Sequence, residues 1–201
     1  MSIVQENRLW ISPEEYLEGE KQATLKHEYV EGRVFAMAGA NANHDLIAGN
    51  IYGLLWQQLH GRKCRVFSSD MKVKIPPTLP NCELTYYYPD VQVACKPENE
   101  FDEYFREYPA VIFEVLSPST SSTDEREKRA AYLRIDSLEH YCIVAQEKME
   151  VTVYRRAGRN WEIMRWTQPG DVVILGAIDC ELTLGQIYER VTWKRASGTA
   201  A

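Results

Sequence analysis

No stretch of the 201-residue chain approaches the roughly 18 consecutive apolar residues that a membrane helix needs. The opening residues, Met1-Ser2-Ile3-Val4-Gln5-Glu6-Asn7, are too polar for a secretory signal, so a cytoplasmic protein is expected, with no membrane partner. Cysteine is sparse and scattered: Cys64, Cys82, Cys95, Cys142 and Cys180 are an odd number with no Cys-x-x-Cys pair. That pattern suggests neither a disulfide framework nor a zinc knuckle, and all five are expected as reduced thiols. There is no Gly-rich phosphate loop and no His-rich metal motif, which counts against a hydrolase acting on small phosphorylated molecules. Internal repeats and Pro/Gly-rich linkers are missing too, so one domain is expected over residues 1–195, followed by a disordered tail at 196–201. A basic excess is also lacking. Lys and Arg number 23 against 29 Asp and Glu, a net charge of -6, which counts against holding nucleic acid by bulk electrostatics, although basic groups cluster locally at Arg62-Lys63-x-Arg65, Lys72-x-Lys74 and Arg126-x-Lys128-Arg129.

Of the residues, 45% are hydrophobic, enough for a sizeable core. Ser12-Pro13-Glu14-Glu15 carries an N-cap, a proline at the first helical position and a capping-box glutamate, predicting a short helix to about residue 18. Glu31-Gly32 lies between the strand-like runs 28–30 and 33–37, predicting a tight hairpin. Leu46, Ile47, Ile51, Leu54, Leu55 and Leu59 recur at helical spacing up to Gly61. Strand character then dominates over 65–75, 86–95 and 110–116. A loop at 117–123, a helix over 124–135 and an apolar strand at 140–145 complete a strand–helix–strand unit, whose two strands are expected in parallel. Alternating runs at 150–154, 161–166 and 172–175 predict an antiparallel meander, closed by a short helix over 183–191.

Two carboxylates occupy places where charge is expensive. Asp90 stands at the mouth of Tyr88-Pro89-Asp90-Val91-Gln92-Val93, and Glu114 inside Val111-Ile112-Phe113-Glu114-Val115-Leu116. A carboxylate in such a strand needs a partner or a metal. If the two strands are neighbours, both side chains can converge on a divalent ion suited to phosphodiester hydrolysis. The plainer alternatives are a turn aspartate and a structural ion-pair glutamate. In the next helix, Asp124, Lys128, Ala131 and Ile135 share a stripe, so Lys128 points with the apolar contacts toward the sheet. There its ammonium can hold an attacking water or a pentavalent phosphate, or simply pair with Asp124 four residues earlier.

Pro89-Asp90, then Phe113-Glu114-Val115-Leu116-Ser117-Pro118-Ser119-Thr120, then Asp124-x-x-x-Lys128-x-x-x-Tyr132 resembles a large bacterial family of restriction-endonuclease-like proteins in the PD-(D/E)xK superfamily. The similarity reaches back to His27-Glu28-Tyr29-Val30-Glu31-Gly32 and to Met37-Ala38-Gly39-Ala40 with His44, and covers about residues 12–184. It implies an α/β restriction-endonuclease-like fold: a four-stranded mixed core sheet flanked by helices, with the N-terminal helix and hairpin and the C-terminal meander added. It further implies magnesium or manganese held by Asp90, Glu114 and the main-chain carbonyl of Val115, with a 5′-phosphate product. One departure matters, because the superfamily's usual lysine, two positions after the acid, falls on Leu116 here; the family's lysine is taken to be Lys128.

Glu28 is a further acidic candidate, since superfamily members often add one from an N-terminal element; exposure on the hairpin, with Glu31, is the simpler account. His44 opens a helix and can touch a substrate phosphate or act as a capping or surface histidine. Ser117, Ser119 and Thr120 lack His and Asp partners and are read as a turn. Asp70, expected on a strand with Lys72 and Lys74, lines the cleft or merely decorates a face. The chain is thus expected to be a metal-dependent endonuclease acting on nucleic acid, DNA in the first place, as a homodimer suited to double-strand cutting. The competing reading is a catalytically silent nucleic-acid-binding or mobile-element accessory protein with the same fold, which the acidic balance favours.

Overall fold

The computed structural model describes residues 10–37, 39–77, 84–96, 102–116 and 122–193, the side chains of 122–124 excepted. Helix α1 (Pro13–Glu20) begins as its signature requires, with Ser12 Oγ accepting from the Glu15 amide at 3.1 Å and the Glu15 carboxylate accepting from the Ser12 amide at 3.0 Å. Strands β1 (His27–Val30) and β2 (Arg33–Ala36) form the expected hairpin. Its corner residues, Glu31 at φ 48° and Gly32 at φ 89°, both take the left-handed conformation that a two-residue turn demands. Helix α2 (Ala42–Leu59) follows, capped by the Asn41 side chain, which accepts from the His44 amide at 3.0 Å.

Between 65 and 94 the two long strands expected from the sequence are each divided. β3 (Arg65–Ser68) and β4 (Lys72–Ile75) are separated by a turn, and β5 (Thr85–Tyr87) and β6 (Val91–Ala94) by Tyr88-Pro89-Asp90. The halves belong to different sheets. With β7 (Phe105–Arg106) the first sheet runs β2-β1-β5-β4-β7. The second is built on β8 (Pro109–Leu116), β9 (His140–Ala145), β10 (Val151–Ala157) and β11 (Asn160–Trp166), in the order β11-β10-β9-β8-β6-β3. The four-stranded core sheet implied by the resemblance is therefore corrected to six strands, with a second sheet of five beside it. Pro89 accounts for part of the difference: it has no N–H for a ladder, so the β5 pairing stops before it and β6 starts after it.

β8 and β9 are parallel, joined through helix α3 (Ser122–Tyr132) as expected, and β10 and β11 extend the sheet antiparallel. β12 (Val172–Leu175) does not continue that meander but pairs with β13 (Cys180–Thr183) in a two-stranded sheet of its own, ahead of the short helix α4 (Leu184–Ile187). Alternation along β8 assigns its two faces. Val111, Phe113 and Val115 pack with Ile47, Ile51 and Leu55 of α2 and with the β12–β13 unit; Ile112 packs with Ala131, Tyr132 and Ile135 beneath α3. Glu114 falls on the α3 face.

The cysteine expectation is also corrected. The antiparallel register Arg65↔Ala94 sets Cys64, just before β3, against Cys95, just after β6, and the two form a disulfide. Their separation of 31 residues hides the pairing, which only strand adjacency creates. Cys142 and Cys180 are free thiols and buried, and Cys82 lies outside the described residues. Among the described residues, no helix is long and apolar enough to cross a membrane.

Candidate active site

β6 and β8 are antiparallel neighbours with Val91 opposite Phe113. Carried one residue further, that register sets Asp90 across from Glu114, so the condition for the two carboxylates to converge is met. Asp90 Oδ2 accepts from the Val115 amide at 2.7 Å, which ties the switch between sheets to the end of β8. The Glu114 side chain is almost wholly buried and accepts from the Tyr132 hydroxyl at 2.7 Å. Burial pushes its pKa well above the usual carboxylate range; the Lys128 charge pulls it down, Asp90 adds repulsion, the Tyr132 hydrogen bond lowers it, and the Glu28 charge raises it again.

Lys128 reaches this point from α3 as its stripe suggests. Its Nζ lies 2.7 Å from Glu28 Oε1 and 5.3 Å from the centre of the Tyr87 ring. Both partners are largely buried, their side chains 15% and 12% exposed, so the solvated account of Glu28 fails while that of Glu31 holds. Strand alternation is the reason: Tyr29 faces α1, and Glu28 therefore faces α3. The alternative pairing of Lys128 with Asp124 concerns a side chain outside the described residues.

His44 is not the surface or capping residue of the plainer account. Its amide is the capped group, and its ring reaches into the site, with Nε2 3.4 Å from Asp90 Oδ2 and the two side chains 15% and 14% exposed. Burial lowers its pKa, but Asp90, the Glu114 charge and the Val115 carbonyl outweigh burial and leave it raised above the ordinary histidine value.

Glu28, His44, Asp90, Glu114, Val115 and Lys128 all line one cleft of about 610 Å³. Asp70 does not: it occupies the turn between β3 and β4, exposed and paired with Lys26 at 3.0 Å. Ser117, Ser119 and Thr120 lie outside the described residues. Two hard carboxylates and a main-chain carbonyl are the donors a small divalent ion takes, together with waters. Among the described residues, no three His, Cys, Asp or Glu side chains surround a common point as placed; the Glu114 carboxylate is turned to Tyr132. Tyr132 is the member of the cluster that sequence reasoning left without a role. Its spacing of four from Lys128 is the signal that places both on one helical stripe.

The family model described as "Putative restriction endonuclease", Uma2, matches residues 13–185. The chain belongs to the Uma2 family. Two uncharacterized proteins of Synechocystis sp. are similar to this Uma2 chain: one is 34% identical over 179 residues, covering 89% of the chain and 91% of the relative, and the other is 34% identical over 151 residues, covering 73% and 82%. A crystal structure from Anabaena variabilis, titled a putative nuclease belonging to DUF820, has the same fold with a TM-score of 0.68 at 19% identity, over 89% of this Uma2 chain and 97% of its own. The restriction-endonuclease-like α/β fold is therefore shared, and the Uma2 description supports a nuclease.

Proposed function

We propose that this Uma2 chain is a metal-dependent endonuclease that hydrolyses phosphodiester bonds in DNA, with Asp90, Glu114 and the Val115 carbonyl holding magnesium or manganese. The observation that carries this reading is the meeting of Asp90, Glu114 and Lys128 in one cleft although Leu116 stands where the usual lysine would be. The electrostatics fit the group as well. Glu114 is buried beside a second carboxylate and held in a strained charge balance that a divalent cation relieves. A bound ion would supply Lewis-acid polarisation of the scissile phosphate and acidify a coordinated water.

The chain's own residues do the rest. Val115 N–H and Tyr132 O–H each fix one carboxylate. Lys128 offers an ammonium to the attacking water or to the charge that develops on the phosphate, and Glu28 holds that ammonium in the cleft. Basic charge beside the cleft comes from α3, in Arg126-x-Lys128-Arg129, whose Lys128 lines it, which suits a substrate gripped near the site. A homodimer fits two-strand cutting.

The second reading, a silent accessory protein, is favoured by one observation: Glu28 already neutralises Lys128. The two separate in a cleavage assay on mixed DNA and RNA at low salt with magnesium or manganese. Cutting by the wild type that is lost in Asp90→Ala, Glu114→Ala and Lys128→Ala supports the nuclease. Folded, metal-binding wild type that cuts nothing supports the accessory protein.

A further inference from the structure

We propose that His44 is a ligand of the metal centre, its ring supplying a nitrogen donor beside Asp90 and the Val115 carbonyl, and that the centre therefore prefers manganese and later first-row divalent ions to magnesium. The inference rests on the metal-dependent reading above and extends it to a residue and to a class of ion.

The geometry carries it. The Asn41 cap fixes the first turn of α2 and aims His44 at the mouth of β6 and β8, so this side chain arrives from a third direction, roughly opposite α3 across the sheet. Asp90 Oδ2 already has a hydrogen bond from the Val115 amide at 2.7 Å and does not need the imidazole to satisfy it. The 3.4 Å between His44 Nε2 and Asp90 Oδ2 is long for a hydrogen bond to a carboxylate, which closes to about 2.7–2.9 Å when it is the purpose of the contact. It is the spacing of two donors sharing an ion: ligand bonds of about 2.0–2.2 Å meeting at right to tetrahedral angles leave the donors roughly 3–3.5 Å apart. Both groups are mostly shielded from solvent and line the same cleft, and the His44 ring also meets the Val115 carbonyl, so the three proposed donors are neighbours.

The chemistry of the donor set then decides the ion. Two carboxylates, a carbonyl and waters make an all-oxygen set that magnesium accepts. Adding an imidazole nitrogen moves the preference along the first-row series, toward ions that bind nitrogen well. Neither the resemblance nor the description of the family makes this histidine a metal ligand.

The test reads ligation and not turnover. Manganese is titrated into the full-length wild type and followed by electron paramagnetic resonance, and the nitrogen hyperfine modulation of the bound ion is recorded with natural-abundance and ¹⁵N-histidine-labelled protein. The expected result is one histidine nitrogen coupled to bound manganese, shifted by the label and lost in His44→Ala. That variant should also bind manganese about tenfold or more weakly while losing far less magnesium affinity. Because the spectrum of the wild type is decisive by itself, a poorly folded variant leaves the test intact. Manganese bound with no nitrogen coupling overturns the His44 inference and leaves the carboxylate centre standing. A coupling that survives in folded His44→Ala overturns it too, by assigning another histidine. Wild type that binds no manganese removes both this inference and the metal-dependent reading beneath it.

Discussion

Lys128 Nζ lies 2.7 Å from Glu28 Oε1, an ion pair that joins α3 to β1 across 100 residues of sequence. Removing one member leaves a largely desolvated charge, so Glu28→Gln and Lys128→Met should each lose about 1–3 kcal/mol in urea unfolding. The double variant should lose less than the sum of the two, by about 1 kcal/mol. Strictly additive losses would show that the pair contributes nothing to stability.

The Tyr132 hydroxyl is buried and donates to Glu114 at 2.7 Å. Tyr132→Phe should lower manganese affinity by about 10–100-fold, because the carboxylate it orients is freed. Calorimetric titration measures this. An unchanged affinity would make Tyr132 a packing residue only.

His140 is buried, and neither ring nitrogen has a hydrogen-bond partner among the described residues. Burial, with help from the Arg155 charge, lowers its pKa from 6.5 to about 4. The sign follows: between these values the unfolded chain binds the proton and the folded chain does not. Stability is therefore full above about pH 6.5 and falls by up to about 3 kcal/mol as the pH drops to 4. His140→Leu should flatten that part of the pH–stability curve and be neutral or stabilising at pH 7, since it removes unsatisfied polar atoms. Thermal melts across the range read both effects, and an unchanged slope would assign the acid sensitivity elsewhere.

Closing the chain between Cys64 and Cys95 should add about 3–4 kcal/mol by the entropy it removes from the unfolded state. Denatured, non-reduced protein should therefore gain two labelled thiols on reduction, and the reduced form should unfold earlier in urea. Equal thiol counts before and after reduction would mean the bond is not formed in solution.

Helix caps, the hairpin turn and the parallel β8–β9 unit were legible because each is written in neighbouring residues: Ser12 with Glu15, Glu31 with Gly32, and the apolar run ending at Leu116 followed by the helix that carries Lys128. Glu114 was legible for a different reason, as the single charge in a strand with two buried faces. What stayed hidden depends on which strands become neighbours. The disulfide, the division of 65–94 between two sheets and the inward side of Glu28 all follow from pairings between distant segments. His44 was legible only in part, as a histidine that can touch a substrate phosphate or cap its helix, since a histidine in a first helical turn carries no mark of where its ring will reach.

Glu28 belongs to the five-stranded sheet, Glu114 to the six-stranded one, and Asp90 to the short link by which the chain passes from the first to the second. The geometry of the cleft is consequently a property of the finished molecule alone. A nascent chain, or one loosened by heat, carries every residue of the cleft and none of its geometry, so the proposed nuclease would stay silent until folding is complete.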